Sequence, residues 1–417
     1  MTELAWIENA LTSARPQAMG ALLRYFRDLD RAEEAFQEAC LRALKTWPLK
    51  GPPRDPAAWL IFVGRNAALD NVRRDRRNTA LPPEDRISDL EDAETDIAER
   101  LDDAHYRDDI LRLMFVCCHP DLPATQQVAL ALRVVSGLSV REVASAFLVN
   151  ERAMEQRITR AKRRVAEANI PFAAPDAVER SARLGAVAAM IYLVFNEGYS
   201  ASGGDETVRA SLCDEAIRLC RLLLRLFPAE PEIMGLLALM LLQHARSPAR
   251  TDPEGKAVLL EDQDRTLWKR ANIDEGLALV DKALRHRQPG AYQVQAAIAA
   301  LHSRARTAAD TDWQEIDLLY QMLEHLTPSP VITLNRSVAV SKTKGPEAAL
   351  KLIAPLADRL SGYFFFHGVQ GAYLSEIGRM AEAREAFNRA IALARTPAEA
   401  SHIREHLDRL SQRVSAD

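Results

Sequence analysis

Arginine, lysine and glutamine side chains recur at helical spacing between residues 139 and 165. Seven basic and three acidic residues lie there, a local charge of +4 in a chain whose formal net charge is −4. Long side chains of these types reach base edges or phosphates when their helix lies in a DNA major groove. The candidates are Arg141, Arg152, Gln156, Arg157, Arg160, Lys162, Arg163 and Arg164. The alternative is a solvated basic face on a surface helix.

The elements that would hold this stripe favour the DNA interpretation. Ser139 and Glu142 have the spacing of a capping box, which predicts a short helix beginning there. After a turn at 148–150, a second helix is predicted from Glu151 to about Val165. Its apolar stripe, which includes Met154 and Ile158, lies opposite the basic one. A capped helix, a turn and a basic helix predict a helix–turn–helix, the arrangement that docks in the major groove.

A second candidate nucleic-acid segment lies upstream. The sequence predicts a helix from Ala57 to about Arg77, with aromatic residues in its first half and arginines in its second. Aromatic rings that stack on bases, next to cations that follow the backbone, suit unpaired DNA strands. The alternative for Trp59 is a place in the hydrophobic core. The candidate residues are Trp59, Arg65, Asn66, Arg73, Arg74, Arg76 and Arg77.

The spacing of apolar residues in segment 32–47 predicts an amphipathic helix with one apolar face and one acidic face. Its apolar face consists of Ala32, Ala35, Phe36, Ala39, Cys40, Ala43, Leu44 and Trp47, and its acidic face carries Glu33, Glu34, Gln37 and Glu38. From these residues alone the acidic face is either a docking surface or merely solvated.

Composition limits the classes of protein further. Helical periodicity prevails along the 417 residues, so we predict an all-α fold. The longest apolar run has twelve residues, short of the roughly 20 that span a bilayer. The first ten residues lack the apolar core of a signal peptide, and five cysteines favour a reducing cytoplasm over a disulfide scaffold. For Cys117-Cys118-His119 we favour buried thiols over a metal site.

Charge and proline divide the chain into units. Residues 84–109 contain twelve acidic residues and three arginines, and are predicted to form a solvated acidic linker. A second boundary is predicted where prolines follow the basic helix, near 171–175. The predicted units are therefore 1–80, a linker at 81–105, a unit at 106–168 and a large helical remainder at 172–417.

Three ordered motifs resemble the sigma-70 family of bacterial transcription initiation factors, specifically its small extracytoplasmic-function group. They are DLDRAEEAFQEACLRALKTWP, PAAWLIFVGRNAALDNVRRDRR and GLSVREVASAFLVNERAMEQRITRAKRRV. The resemblance implies that they form region 2.2, regions 2.3–2.4 and region 4.2. Leu148 departs from the pattern, because the family usually has glycine in that turn.

The resemblance also implies partners. It assigns Asp30, Glu33, Glu34, Gln37 and Glu38 to docking on the clamp helices of core RNA polymerase. It assigns the 57–77 helix to the −10 promoter element, and the 151–165 helix to the −35 element, next to the polymerase flap. It implies a promoter-specificity subunit that is not an enzyme, with no cofactor, no metal and no membrane partner.

The remainder from 172 resembles a sigma-factor subgroup with a fused helical extension that ends in tetratricopeptide-like repeats near 330–397. Gly371, Ala383, Phe387 and Ala390 fit one repeat, and Ser337, Ala349, Ile353 and Leu356 fit a degenerate copy 34 residues earlier. We expect this extension to regulate the sigma module through an accessory protein or a ligand. Asp262 and Asp264 either flank a ligand or cap helices, and we favour capping.

Two other functions remain open at this point. A helix–turn–helix transcriptional regulator with a helical ligand-sensing domain would account for 139–165, but not for the two upstream motifs. A helical scaffold or hydrolase would account only for the repeats.

Overall fold

The computed structural model describes residues 5–51, 53–76, 103–119, 121–147, 149–167, 177–200, 206–252 and 258–394, with isolated residues between 400 and 407. Helices and their connections make up this part of the chain, and no β-strand occurs in it. The all-α prediction is confirmed. The predicted acidic linker lies almost wholly outside the described residues, as do Leu148 and the predicted boundary at 172.

The chain divides into two compact units. The first contains Met1–Gly198 and Glu206–Glu215, and the second contains Tyr199–Asp205 and Ala216–Asp417. Helix α8 (Ala177–Ser200) thus packs mainly with the first unit, where the Arg183 guanidinium lies 5.1 Å from the centre of the Phe115 ring. None of the described helices is long and apolar enough to cross a lipid bilayer.

The first unit begins with three packed helices, α1 (Ala5–Phe26), α2 (Leu29–Lys50) and α3 (Pro56–Arg76). Asp28 caps α2, because its carboxylate accepts a hydrogen bond from the Arg31 N–H at 3.0 Å. Asp55 caps α3 in the same way, through the N–H groups of Ala57 and Ala58. Helix α3 thus begins within one residue of the predicted start.

Helix α1 also packs against α4 (Asp103–Cys117), on the far side of the predicted linker. The approach is close at Gly20, where an added Cβ would lie 2.7 Å from the Asp109 carbonyl oxygen. The chain continues with α5 (Ala124–Ala131), a short π-helix (Leu132–Ser136), α6 (Val140–Ala146) and α7 (Glu151–Glu167).

Helices α6 and α7 form the predicted helix–turn–helix. The capping box is present: the Ser139 hydroxyl accepts from the Glu142 N–H at 3.2 Å, and the Glu142 carboxylate accepts from the Ser139 N–H at 2.7 Å. Asn150 caps α7 by accepting from the Ala153 N–H at 2.7 Å. Met154, Ile158 and Ala161 are buried, so the apolar stripe of α7 faces the core.

The second unit is a stack of helices. It contains α9 (Glu206–Leu226, which begins in the first unit), α10 (Pro231–Ala245), α11 (Arg270–Leu284), α12 (Ala291–Arg304), α13 (Trp313–Leu326), α14 (Pro330–Lys344), α15 (Pro346–Ile353), α16 (Phe364–Glu376) and α17 (Met380–Leu393).

The hairpins α14–α15 and α16–α17 show the predicted repeat. Their first helices begin at Pro330 and Phe364, and their second helices at Pro346 and Met380, so both pairs of starts are 34 residues apart. An added Cβ at Gly371 would lie 2.6 Å from the Phe387 ring, which explains the small residue. The two hairpins are joined where the Ser337 and Tyr373 hydroxyls lie 2.9 Å apart.

Candidate nucleic-acid interface

The basic stripe of α7 lies on the solvent side of the helix–turn–helix. Arg152, Gln156 and Arg160 are exposed, whereas Met154 and Ile158 on the opposite side are buried. Because three long polar side chains at i, i+4 and i+8 project from one face, α7 could place them along a groove edge. This exposed set is the readout surface referred to below.

The other basic residues of the helix–turn–helix have different surroundings. Arg141 on α6 is exposed, and Arg157 is half-buried. The exposed Arg163 pairs with Glu167 on the next turn, with 2.7 Å between Nε and Oε1. Arg164 donates to the Asp121 carbonyl at 3.2 Å. Arg141 is thus the one of these four arginines that is exposed and for which no such contact is described, whereas Arg163 and Arg164 would exchange these contacts for phosphates.

Lys162 is an exception, because it contacts α2 instead of solvent. Its ammonium group lies 2.7 Å from the Asp30 carboxylate and also contacts the carboxylate of Glu33. Burial opposes the charge on this ammonium, but the hydrogen bonds to both carboxylates outweigh burial and raise the pKa of Lys162. A residue predicted to bind DNA and two residues predicted to bind polymerase are therefore joined to each other.

Glu33 is the centre of a cationic cluster. Its side chain is buried, with 6% of the residue surface exposed, and lies 3.9 Å from both Arg15 and Arg133. Arg15 also donates to the carbonyls of Arg133 and Val134 and lies over the Phe36 ring. We call Arg15, Glu33, Arg133 and Lys162, with Asp30, the closing cluster. It joins the first helices to the helix–turn–helix.

The remaining acidic face of α2 is open to solvent. Glu34 and Gln37 are exposed, and the Glu38 carboxylate pairs with Arg42 at 3.1 Å. The same face continues into two exposed leucines, Leu41 at 56% and Leu44 at 48%. The pattern of segment 32–47 predicts that Leu44 lies on the buried face, and this prediction is wrong. Spacing from Glu34 and Gln37 (i+7) would have placed both leucines on the exposed face.

Trp59 on α3 lies in an aromatic cluster. Its ring is 5.3 Å from that of Trp47, which in turn stacks on Trp6, and Trp59 is only 9% exposed. This position favours the core alternative for Trp59.

Arg65 and Asn66, further along α3, are more accessible than Trp59. The Arg65 guanidinium lies 4.3 Å from the centre of the Tyr25 ring, and Tyr25 is exposed. Asn66 is half-buried. Tyr25 thus presents an aromatic ring next to a cation, although its position in α1 gave no signal in the sequence. Arg73, Arg74 and Arg76 lie in the last turns of α3, and Arg77 lies outside the described residues.

The cysteines and acids show no metal chemistry within the described ranges. No group of three His, Cys, Asp or Glu residues there could hold an ion. Cys117 and Cys118 are buried, as predicted, and burial raises the pKa of the Cys118 thiol to about 12. Asp264 caps a 3-10 turn by accepting from the Thr266 N–H at 2.9 Å, which confirms the capping interpretation for Asp264.

Comparison with known proteins divides the chain in the same way. Residues 11–78 match the family model for sigma-70 region 2, and residues 112–165 match that for sigma-70 region 4. Residues 183–284 match a family of unknown function, DUF6596. The chain is also 70% identical over 411 residues to an uncharacterised protein of Rhizobium meliloti (strain 1021), covering 99% of this chain and 97% of that protein.

Proposed function

The chain belongs to the sigma-70 family as an extracytoplasmic-function-like sigma factor with a C-terminal extension, and from this we propose that it directs core RNA polymerase to one class of promoters. The observation that carries the proposal is the readout surface, in which Arg152, Gln156 and Arg160 are exposed on a helix whose other face is buried. In this proposal α7 reads the −35 element and α3 holds the opened −10 strand. The protein would act in the cytoplasm.

We also propose that the first unit opens when it acts at a promoter. Elements at −10 and −35 lie about 25 base pairs apart, or about 85 Å at ~3.4 Å per base pair. A compact unit of about 200 residues is only about 45 Å across. Because α3 and α7 belong to one such unit, they cannot reach both elements together. We therefore propose that Lys162 leaves Asp30 and Glu33 when the protein joins polymerase at a promoter.

The −35 assignment predicts the effect of Arg160→Ala. We expect promoter-directed transcription to fall about 5- to 150-fold, because removing a base-edge arginine costs about 1–3 kcal/mol, with core binding unchanged. Multi-round transcription with core polymerase measures this. The matched control is Arg389→Ala, an exposed arginine in an i,i+4 pair on α17. Equal transcription by the two variants would show that Arg160 does not contact promoter DNA.

The position of Trp59 predicts a loss of stability. Trp59→Ala should lower the free energy of unfolding by about 3–5 kcal/mol, because it leaves a cavity beside Trp47. Urea unfolding followed by circular dichroism measures it, with exposed Leu49→Ala as the control. Where Trp59→Ala still folds, permanganate footprinting then asks whether the ring also stacks on a base. A loss as small as that of Leu49→Ala would place the ring outside the core.

We further propose that the extension regulates the sigma module. Attachment places the extension at an effective concentration in the millimolar range, so that even a weak regulatory interaction is occupied. Truncation after Asn169 should therefore change promoter output strongly. Because that cut also removes α8 and its Arg183–Phe115 contact, a second truncation after residue 200 is the control. If both fragments fold and give the same promoter output as the full-length protein, the extension does not regulate the sigma module.

A further inference from the structure

A cavity of about 380 Å³ lies in the second unit, between α12, α13, α14, α16 and the segment 258–268. Its walls are mainly apolar and aromatic, with Trp313, Ile316 and Tyr320 on α13, Val338 on α14, and Val369 and Ala372 on α16. This volume and lining are typical of sites that bury a small organic molecule.

Two features add polarity to the cavity without adding charge. Thr311 is buried, and its hydroxyl has no hydrogen-bond partner within the described ranges. An unsatisfied buried hydroxyl is costly, so a ligand that hydrogen-bonds to it is favoured. The His302 imidazole lines the same space, and burial together with Arg246 and Arg265 lowers its pKa to about 4. His302 is therefore neutral at physiological pH.

The charged residues of the lining cancel one another. The two cations are Arg265 and Lys342, and the two anions are Glu261 and Glu376. Arg265 is already engaged, because it donates to the carbonyls of His302 at 2.6 Å and Ala305 at 2.8 Å. Lys342 pairs with Glu261 at 3.1 Å. The four charges sum to zero, so the lining offers no net charge to a phosphate or a divalent cation.

The segment 258–268 forms one wall of the cavity. The Arg265 bonds anchor it to the end of α12, and the Lys342–Glu261 pair ties it to α14. Within the segment, the Gln263 side chain donates to the Val258 carbonyl at 3.1 Å. These contacts hold this wall of the cavity in place.

We propose that this cavity binds one uncharged small molecule, with an aromatic or branched apolar body and one group that hydrogen-bonds to Thr311. The apolar body would lie among Trp313, Ile316, Val338 and Ala372. The inference goes beyond the proposed function, because it concerns a site that needs neither polymerase nor promoter. Its test therefore succeeds or fails independently.

The test is fluorescence titration of the full-length protein with N-phenyl-1-naphthylamine, an uncharged aromatic probe with one N–H. The wild type should give a saturable increase at one probe per chain. Ala372→Phe, which fills the cavity from α16, should weaken binding at least tenfold. The matched control is Ala381→Phe on the exposed face of α17, which should change affinity less than twofold. No saturable increase, or equal affinities of the two variants, would overturn the proposal.

Thr311→Val keeps the test decisive if Ala372→Phe fails to fold. It preserves the shape of the side chain and removes only the unpaired hydroxyl. We expect it to weaken the probe at least threefold, because the probe N–H loses its acceptor. Unchanged affinity in a folded Thr311→Val protein would overturn the assignment of Thr311, and with it the proposed ligand chemistry.

Discussion

Reversing Glu34 and Glu38 to lysine should weaken binding to core polymerase by about thirtyfold or more for each side chain. Both carboxylates lie on the solvent side of α2, where region 2 is proposed to dock on the clamp helices. Breaking a desolvated charge pair across an interface typically costs about 2–5 kcal/mol. Surface plasmon resonance with immobilised core polymerase measures the dissociation constant.

The control for this reversal is the pair Glu382 and Glu385 on α17, which are exposed and lie three residues apart. Reversing them should leave core affinity unchanged. If the Glu34 and Glu38 reversal bound core polymerase as tightly as this control, the acidic face of α2 would be merely solvated.

Lys162→Glu should have the opposite effect and strengthen binding to core polymerase. The substitution places a third carboxylate against Asp30 and Glu33, so repulsion replaces the two ion pairs of the closing cluster. If the open arrangement is a minor state of 0.1–10%, opening it fully raises apparent affinity by about 10- to 1000-fold. The same titration measures it, and small-angle scattering reports the accompanying expansion.

Arg163→Glu is the matched control for Lys162→Glu. It makes the same charge change one residue further along α7, on a side chain that is 80% exposed and pairs only locally with Glu167. Both substitutions should weaken promoter binding, but only Lys162→Glu should tighten core binding and expand the protein. Identical behaviour of the two variants would show that the closing cluster does not limit access to polymerase.

Local patterns in the sequence predicted the elements well. The Ser139–Glu142 capping box, the buried stripe of α7 and the 34-residue repeat each depend on residues close in sequence, and all three are present. Side-chain periodicity on a helix is sufficient to distinguish its faces, so the exposure of Arg152, Gln156 and Arg160 followed directly.

Those local patterns do not predict tertiary contacts. Lys162 and Glu33 lie 129 residues apart in sequence, and nothing in the periodicity of α2 or α7 indicates that they pair. The burial of Trp59 also depends on its contact with Trp47 on another helix, which periodicity along α3 does not predict. The cavity behind segment 258–268 likewise depends on four helices that meet only in the folded second unit.

Run-off transcription with purified core polymerase on a genomic promoter library tests the central claim most directly. With the full-length protein added, we expect transcripts from a limited set of start sites that core polymerase alone does not use. Arg160→Ala should reduce all of them, whereas Arg389→Ala should not. No start site dependent on the added protein, together with tight binding of the isolated protein to duplex DNA, would contradict a promoter-specificity role and favour a helix–turn–helix regulator.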